Sequence, residues 1–236
     1  AAAPASAQLS EKPIRIVFPY ASGGAGDALA RLLAEELRQG MKRPVIVENK
    51  TGAGGNIGAD AVVRATDDHT IGLMINGNLT IAKILNPATP YDPLKDLQPV
   101  SLIAVSPLVL AVPAGTLSAG KAFFDEVRAS GDKWNYGTPG VGTVAHLGME
   151  LLKTKAGIAP LHVPYPGNPQ VITALIGGQI QMSLLPPGLA MAQVRAGKLK
   201  AIGVTSAGRS SVAPELPSLA EAGVQGLQLE IWNAVA

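Results

Sequence analysis

Two copies of one pattern, a strand followed by a glycine-rich loop and then a helix, constrain the fold of this chain most strongly. In the first copy, the apolar stretch 14–18 precedes the loop Tyr20–Asp27, and leucines at helical spacing follow it. This helix is predicted to end at Gly40, and a later strand is predicted over Thr70–Ile75. In the second copy, the strand Trp134–Tyr136 precedes the loop Gly137–Gly142, and a helix is predicted over Thr143–Lys155. This alternation predicts an α/β fold in which each half of the chain forms a mostly parallel sheet flanked by helices.

A long apolar segment, Val100–Val112, lies between the two halves. It is longer than an ordinary strand of about five or six residues, so we expect it to pass from one lobe into another. The last residues, Leu227–Ala236, are predicted to form a strand that returns to the first lobe, whose further C-terminal elements are expected to be missing. The predicted lobes are therefore 1–104 together with 228–236, and 105–227.

The composition excludes several classes of function. The net charge of +2 is too small for an electrostatic nucleic-acid binder, and the 3 Phe, 4 Tyr and 2 Trp offer few surfaces on which bases could stack. The chain has no cysteine, which excludes thiol nucleophiles, disulfides and thiolate-held metals. Its histidines, His69, His146 and His162, are far apart and have no carboxylate at ligand spacing. The sequence therefore predicts no metal and no other cofactor.

The location of the protein is predicted from its apolar runs and its first residues. No apolar run approaches the roughly 18–20 residues of a membrane-spanning helix, so direct insertion into a membrane is not expected. The small residues of Ala1–Ser10 are typical of the mature side of a cleaved signal peptide, with an expression scar as the alternative. We therefore expect a secreted, periplasmic protein.

The two glycine-rich loops predict an anion site. Glycine lets backbone N–H groups turn toward a ligand, and the following helix N-terminus adds partial positive charge. Neither loop contains a lysine or an arginine, and the alternative is that both are ordinary strand-to-helix turns. Asp27 could contact the ligand, or it could cap the helix and pair with Arg31. His146 could face the cleft or pack within the fold.

Several motifs, in their order along the chain, resemble the solute receptors of tripartite tricarboxylate transporters, the Bug-type periplasmic substrate-binding proteins. The resemblance covers Pro13–Trp232. The motifs include Gly23-Gly24-x-x-Asp27, Gly52-Ala53-Gly54-Gly55-Asn56-Ile57-Gly58, Pro90-Tyr91-Asp92-Pro93, Tyr136-Gly137-Thr138-Pro139-Gly140 and His162-Val163-Pro164-Tyr165.

The resemblance implies a two-lobed Venus-flytrap fold of the type II periplasmic binding proteins, and a protein that delivers a small carboxylate to a membrane permease. It implies that the two loops hold the ligand carboxylate from opposite lobes, largely through backbone N–H groups and ordered water. The residues predicted to bind the ligand are Tyr20, Ala21, Ser22, Gly23, Gly24, Asp27, Asn76, Asn78, Thr138, Pro139, Gly140, Val141, Gly142, Thr143, His146 and Tyr165.

Two departures from the family bear on the ligand. The segment Ser183–Pro187 is more apolar than the polar or acidic strand end often found there, which favours an apolar distal group on the ligand. Pro166 stands where the family usually has a basic residue. The predicted ligand is a mono- or dicarboxylate, aromatic ones included.

Two other classes of function stay open. An enzyme on a similar bilobal fold would need a nucleophile or general base in the cleft. The candidates are Asp27, Thr143 and His146, and no sequence pattern links them as a catalytic triad. A sensory effector-binding domain would share the ligand chemistry and would differ in its partner.

Overall fold

The structure, a computed structural model, describes residues 12–236 and consists of sheets covered by helices. The predicted processing region Ala1–Ser10 lies outside the described residues. In chain order the strands are β1 (Ile14–Phe18), β2 (Val45–Asn49), β3 (Thr70–Ile75), β4 (Ser101–Pro107), β5 (Val109–Pro113), β6 (Asn135–Thr138), β7 (Leu161–Pro164), β8 (Ser183–Leu185), β9 (Leu199–Val204) and β10 (Glu230–Val235).

The helices follow the strands in alternation, as predicted. They are α1 (Ala25–Met41), α2 (Asn56–Val63), α3 (Ala82–Leu85), α4 (Pro93–Asp96), α5 (Gly120–Ser130), α6 (Val144–Ala156), α7 (Asn168–Ile176) and α8 (Pro187–Arg195). A 3₁₀ turn, Ala53–Gly55, precedes α2, and a π-helical turn, Gly77–Ile81, precedes α3. No helix in the described part of the chain is both long enough and apolar enough to cross a membrane.

The first sheet has the strand order β2-β1-β3-β10-β4, and we call it, with α1–α4, the first lobe. β1 is parallel to β2 and β3, whereas β10 is antiparallel to β3 and β4. The final strand that the sequence predicts therefore forms, but at an inner position of the sheet and with reversed direction.

The second sheet, with α5–α8, is called the second lobe. β6 is parallel to β7, and β5 lies antiparallel between β8 and β9. The two parts join where Tyr136 of β6 bridges to Met182, directly before β8, and the Gly137 N–H donates to the Met182 carbonyl at 3.1 Å. The resulting order, β7-β6-β8-β5-β9, repeats the arrangement of the first lobe, with β5 in the place of β10.

Each lobe has its own apolar core. In the first lobe, Ile16, Phe18 and Leu73 are buried beneath α1, and in the second lobe Leu110 and Met149 are buried among their neighbours. Burying such a side chain contributes about 1.5–3 kcal/mol relative to leaving it exposed. Separate cores make each lobe a packing unit and leave the cleft between them free for a ligand.

One detail of α1 differs from the prediction. The helix was expected to end at Gly40, but it continues to Met41, and Lys42 takes the left-handed conformation with φ of 53°. Gly40 has open space around its Cα, so nothing in the packing stops the helix there.

The long apolar run passes from the first sheet to the second, after residue 107, whereas the predicted lobe boundary lies between residues 104 and 105. β4 ends at Pro107 in the first sheet and β5 begins at Val109 in the second, so Leu108 is the crossing residue. Buried Thr205 ties this crossing to the returning one. Its hydroxyl accepts the Leu108 N–H at 2.8 Å and donates to the Leu229 carbonyl at 2.8 Å.

We expect Thr205→Val to destabilise the protein, because valine keeps the shape of threonine and removes both hydrogen bonds. The Leu108 N–H and the Leu229 carbonyl would lose their partner, at about 1–3 kcal/mol for each group that stays buried. Thr205→Ser keeps the hydroxyl and is the matched control. Urea denaturation measures the difference, and equal stability of the valine and serine variants would contradict the role of the hydroxyl.

Candidate ligand-binding site

Two cavities lie in the cleft between the lobes. The first, of about 460 Å³, is called the hinge cavity because β4 and β10 form part of its wall, and α1, α7 and α8 begin at it. The second, of about 570 Å³, is called the loop cavity because the glycine-rich segments 51–56 and 139–142 line it. Tyr20 and Pro139 line both cavities and therefore stand between them.

The N-terminus of α1 opens into the hinge cavity. Gly24, Ala25 and Gly26 line the cavity, and Gly24, the N-cap, offers no side chain to the first-turn N–H groups. These groups have no partner within a helix, so they are available to an anion. A Cβ at Gly26 would lie 2.5 Å from the Phe18 ring, so the close packing of α1 on β1 requires glycine there.

Asp27 holds the loop that precedes α1. Its buried carboxylate accepts the Gly23 N–H at 3.0 Å, the Arg31 guanidinium at 3.0 and 3.1 Å and the Asn49 amide at 2.9 Å. Burial alone would raise the pKa of Asp27, but the hydrogen bonds from Arg31, Gly23 and Asn49 together lower it, so the group is charged at neutral pH. Both oxygens are occupied within the first lobe, as the capping alternative requires, and Asp27 lines neither cavity.

Hydrogen bonds from side chains of the second lobe hold the second glycine-rich loop in place. The Thr143 hydroxyl donates to the Gly140 carbonyl at 2.8 Å and accepts the His146 N–H at 3.3 Å. The Gly142 N–H donates to Nδ1 of His146 at 3.2 Å. Thr138 and His162 contact each other at 2.6 Å between the hydroxyl and Nε2. Because the Thr143 hydrogen is already donated within the loop, the structure gives Thr143 a loop-holding role.

Three aromatic rings stack beneath this loop. The ring centres of Tyr136 and His162 are 4.9 Å apart, and those of His162 and His146 are 4.3 Å apart. Burial lowers the pKa of His162 to about 4, with the neighbouring His146 as the second cause, and burial also lowers the pKa of His146. Glu150 opposes both effects, and Lys153 adds to them. Both imidazoles are therefore neutral at pH 7.

This stack predicts that stability falls as the pH decreases. The folded pKa of His162, about 4, lies below the ordinary value of 6.5, so the unfolded chain takes up the proton first. The stabilising contribution is complete above about pH 6.5 and is lost as the pH falls toward 4. We expect the free energy of unfolding of His162→Gln to fall less steeply between pH 7 and 5, measured by denaturant titration. Parallel profiles would contradict this assignment.

The predicted asparagines belong to the packing of the first lobe. Asn78 is fully buried, and its amide donates to the Gly54 carbonyl and to Oδ1 of Asn56, both at 3.2 Å. The Asn76 amide donates to the Glu230 carbonyl at 3.1 Å. Both asparagines therefore support the walls of the cleft, and neither lines the two cavities.

The structure thus divides the predicted ligand-binding residues into groups. Those at the hinge cavity are Tyr20, Ala21, Gly24 and Pro139. Those at the loop cavity are Tyr20, Pro139, Gly140, Val141, Gly142 and Tyr165. Those outside both linings are Ser22, Gly23, Asp27, Asn76, Asn78, Thr138, Thr143 and His146.

Sequence reasoning missed much of the hinge cavity. Ser106 of β4, Asn233 of β10 and Asn168 at the start of α7 line it, although they are far apart in the sequence. The only signal in the sequence was the segment predicted to cross between the lobes. Strands that lead into such crossings, here β4 and β10, must have residues near the cleft.

The lobes contact each other across the cleft through glycines. A Cβ at Gly77 would lie 2.9 Å from the Gly142 carbonyl oxygen, and a Cβ at Gly167 would lie 2.8 Å from the Ala21 Cβ. A Cβ at Gly54 would collide with the Val141 carbonyl. The cleft is therefore closed, and glycine makes this closeness possible. Within residues 12–236, no group of three or more acidic or histidine side chains could hold a metal ion.

Comparison with known proteins identifies the family. Residues 29–236 match the model of the tripartite tricarboxylate transporter family receptor, TctC. The chain belongs to this receptor family. The UPF0065 protein in the tcbD-tcbE intergenic region of Pseudomonas sp. (strain P51) is 34% identical over 227 residues, which are 95% of this chain and 67% of that protein.

Solved structures agree with this membership. The periplasmic binding protein BugD superposes with a TM-score of 0.90 at 32% identity, over 96% of this chain and 76% of BugD. Rpa4515 of R. palustris, solved with adipate, superposes with a TM-score of 0.91 at 29% identity, over 94% of this chain and 75% of that chain. The predicted α/β periplasmic-binding-protein fold is confirmed, and members of this receptor family bind solutes rather than acting as enzymes.

Proposed function

We propose that the protein captures a small carboxylate in the hinge cavity and delivers it to the permease of a tripartite tricarboxylate transporter. The observation that carries this proposal is the N-terminus of α1, which opens into a cavity walled by both lobes. Backbone N–H groups at Gly24, Ala25 and Gly26 can hold an anion there without a cationic side chain. The family supports the ligand class and the transporter.

Backbone donors are sufficient for a useful affinity. A hydrogen bond to a charged group contributes about 1.5–3 kcal/mol, and a helix N-terminus adds about 0.3–1 kcal/mol. Three or four such bonds, less the cost of association, reach micromolar affinity at about 8 kcal/mol. Because the donors lie in a closed cleft, added salt weakens binding less than it weakens a surface ion pair.

In this proposal, the second glycine-rich loop stabilises the closed cleft by contacting the first lobe. Pro139 meets the hinge cavity, whereas Gly140, Val141 and Gly142 face the loop cavity and contact the first lobe. The first lobe, 12–107 with 230–236, and the second lobe, 109–228, then move as two bodies about the crossings at Leu108 and Leu229 that Thr205 ties together. The mature protein acts in the periplasm after its signal peptide is removed.

An enzyme is a weaker proposal for this site. Of the described residues that line the hinge cavity, none is an aspartate, glutamate, histidine, lysine or arginine. Burial raises the pKa of Tyr20, and its hydroxyl donates to the Gly54 carbonyl at 2.7 Å, so it offers no base. A sensory domain would bind the same ligand and would be distinguished by its partner.

Closure on ligand is the test of the proposed function. A thermal-shift screen of mono- and dicarboxylates should find a stabilising ligand, because binding at 100 times Kd adds about 2.7 kcal/mol. Small-angle scattering with that ligand at saturation should then show a smaller radius of gyration than without it. Identical scattering profiles would contradict a flytrap, and a screen in which no carboxylate stabilises the protein would contradict the ligand class.

A further inference from the structure

The wall that the second lobe contributes to the hinge cavity is mostly apolar. Pro186 and Pro187 at the start of α8, Val212 and Pro139 form its apolar part, and Asn168 at the start of α7 and Gly188 complete it. Phe18, Leu29, Ile75 and Ile231 extend the apolar lining on the first lobe. The polar side chains of the lining are uncharged.

The start of α8 offers fewer donors than a helix N-terminus normally does. Pro186 is the N-cap and Pro187 is the first helical residue, and proline has no N–H group. The Leu189 N–H donates to the Pro186 carbonyl at 3.1 Å, so of this first turn only Gly188 offers an N–H group to the cavity. Unlike α1, which begins with three residues that have free N–H groups, α8 presents hydrocarbon rings to the cavity.

A ligand in this cavity therefore meets two different ends. The end at Gly24 suits one carboxylate, because helix N–H groups face it. A second carboxylate at the α8 end would lose its water and gain no cation and, from that helix, only the Gly188 N–H, and burying a charge with too few partners is strongly unfavourable. An apolar body at that end instead gains from leaving water.

We infer that the ligand is a monocarboxylate with an apolar body, rather than a dicarboxylate. This inference rests on the proposed function, since it takes the hinge cavity as the ligand site. It separates this chain from its relative Rpa4515, which was solved with adipate, a dicarboxylate.

Matched ligand pairs test the inference on the unaltered protein. Hexanoate and adipate have the same number of carbons and differ in the second carboxylate, as do benzoate and terephthalate in an aromatic series. We expect calorimetry to show the monocarboxylate of at least one pair binding at least tenfold more tightly, which is about 1.4 kcal/mol. In neither pair should the dicarboxylate bind more tightly.

A gain-of-function variant tests the wall directly. Val212 lines the cavity and is half exposed, so Val212→Arg can place a cation at the apolar wall without disturbing a core. We expect Val212→Arg to improve adipate binding at least tenfold relative to hexanoate. Val212→Gln adds length without charge and should leave the preference for hexanoate unchanged.

The outcomes separate this inference from the proposed function. Equal binding within both pairs, a dicarboxylate that binds more tightly than its monocarboxylate partner in either pair, or an unchanged preference in Val212→Arg would overturn the inference and leave carboxylate capture intact. If none of the four probes binds at about 10 mM, the inference is overturned, because micromolar affinity would saturate the site at that concentration. The proposed function is overturned only if no carboxylate of the thermal-shift screen stabilises the protein.

Discussion

Gly24→Glu is expected to weaken carboxylate binding at least 100-fold while the fold stays intact. Gly24 has φ of −83° and ψ of 167°, a conformation that any residue adopts, and the nearest atom to an added Cβ is the Ala21 carbonyl oxygen at 3.8 Å. The new side chain therefore fits at the edge of the hinge cavity. Its carboxylate would stand beside the ligand carboxylate, and two like charges about 4 Å apart repel by about 4 kcal/mol near a protein surface.

Two control variants separate charge from bulk at this position. Gly24→Ala adds only a methyl group in free space and should bind within about threefold of the wild type, below 1 kcal/mol. Gly24→Gln has nearly the shape of the glutamate variant without its charge, so it should bind more tightly than Gly24→Glu. Calorimetry with the best carboxylate of the screen measures all three, and unchanged affinity in Gly24→Glu would place the ligand elsewhere.

Gly77→Val is expected to hold the cleft open. Gly77 lies in the π-helical turn of the first lobe, and the three atoms nearest to an added Cβ all belong to Gly142 and Thr143 of the second lobe. The closest obstacle to the side chain therefore belongs to the second lobe, so we expect the closed arrangement to be disfavoured first. We expect ligand binding to weaken at least tenfold, about 1.4 kcal/mol, since closure is lost.

Scattering distinguishes this effect from a damaged lobe. With ligand at saturation, Gly77→Val should keep a larger radius of gyration than the wild type under the same conditions. Gly40→Val is the matched control, because Gly40 is a helical glycine with open space around it and lies far from the cleft. A Gly77→Val protein that contracts on ligand as the wild type does would show that this contact does not govern closure.

The regular elements could be predicted from the sequence because their signals are local. Apolar alternation and helical spacing lie within a few neighbouring residues, so β3 was predicted with its observed bounds and the crossing within Val100–Val112 was identified. The Gly40 error arose because a helix end depends on which residue can take a left-handed conformation, and here Lys42 takes it.

The candidate site could be predicted only in part. The glycine-rich loops were found, but the pattern could not show that the Asp27 carboxylate turns back into its own lobe or that Thr143 is occupied by Gly140. Several residues predicted to touch a ligand make hydrogen bonds that hold the loops lining the cavities. Side-chain orientation depends on hydrogen-bond partners from other elements, which spacing alone does not reveal.

The sequence by itself determined the α/β class, the two-lobed organisation and the family, because each rests on short motifs and on their order along the chain. Only the tertiary structure decided that Ser106, Asn168 and Asn233 line one cavity, and that Gly77 meets Gly142 across the cleft. The physical reason is that a cavity between two lobes is set by how separately packed cores sit against each other. That arrangement depends on contacts between residues far apart in the chain, and no local pattern encodes it.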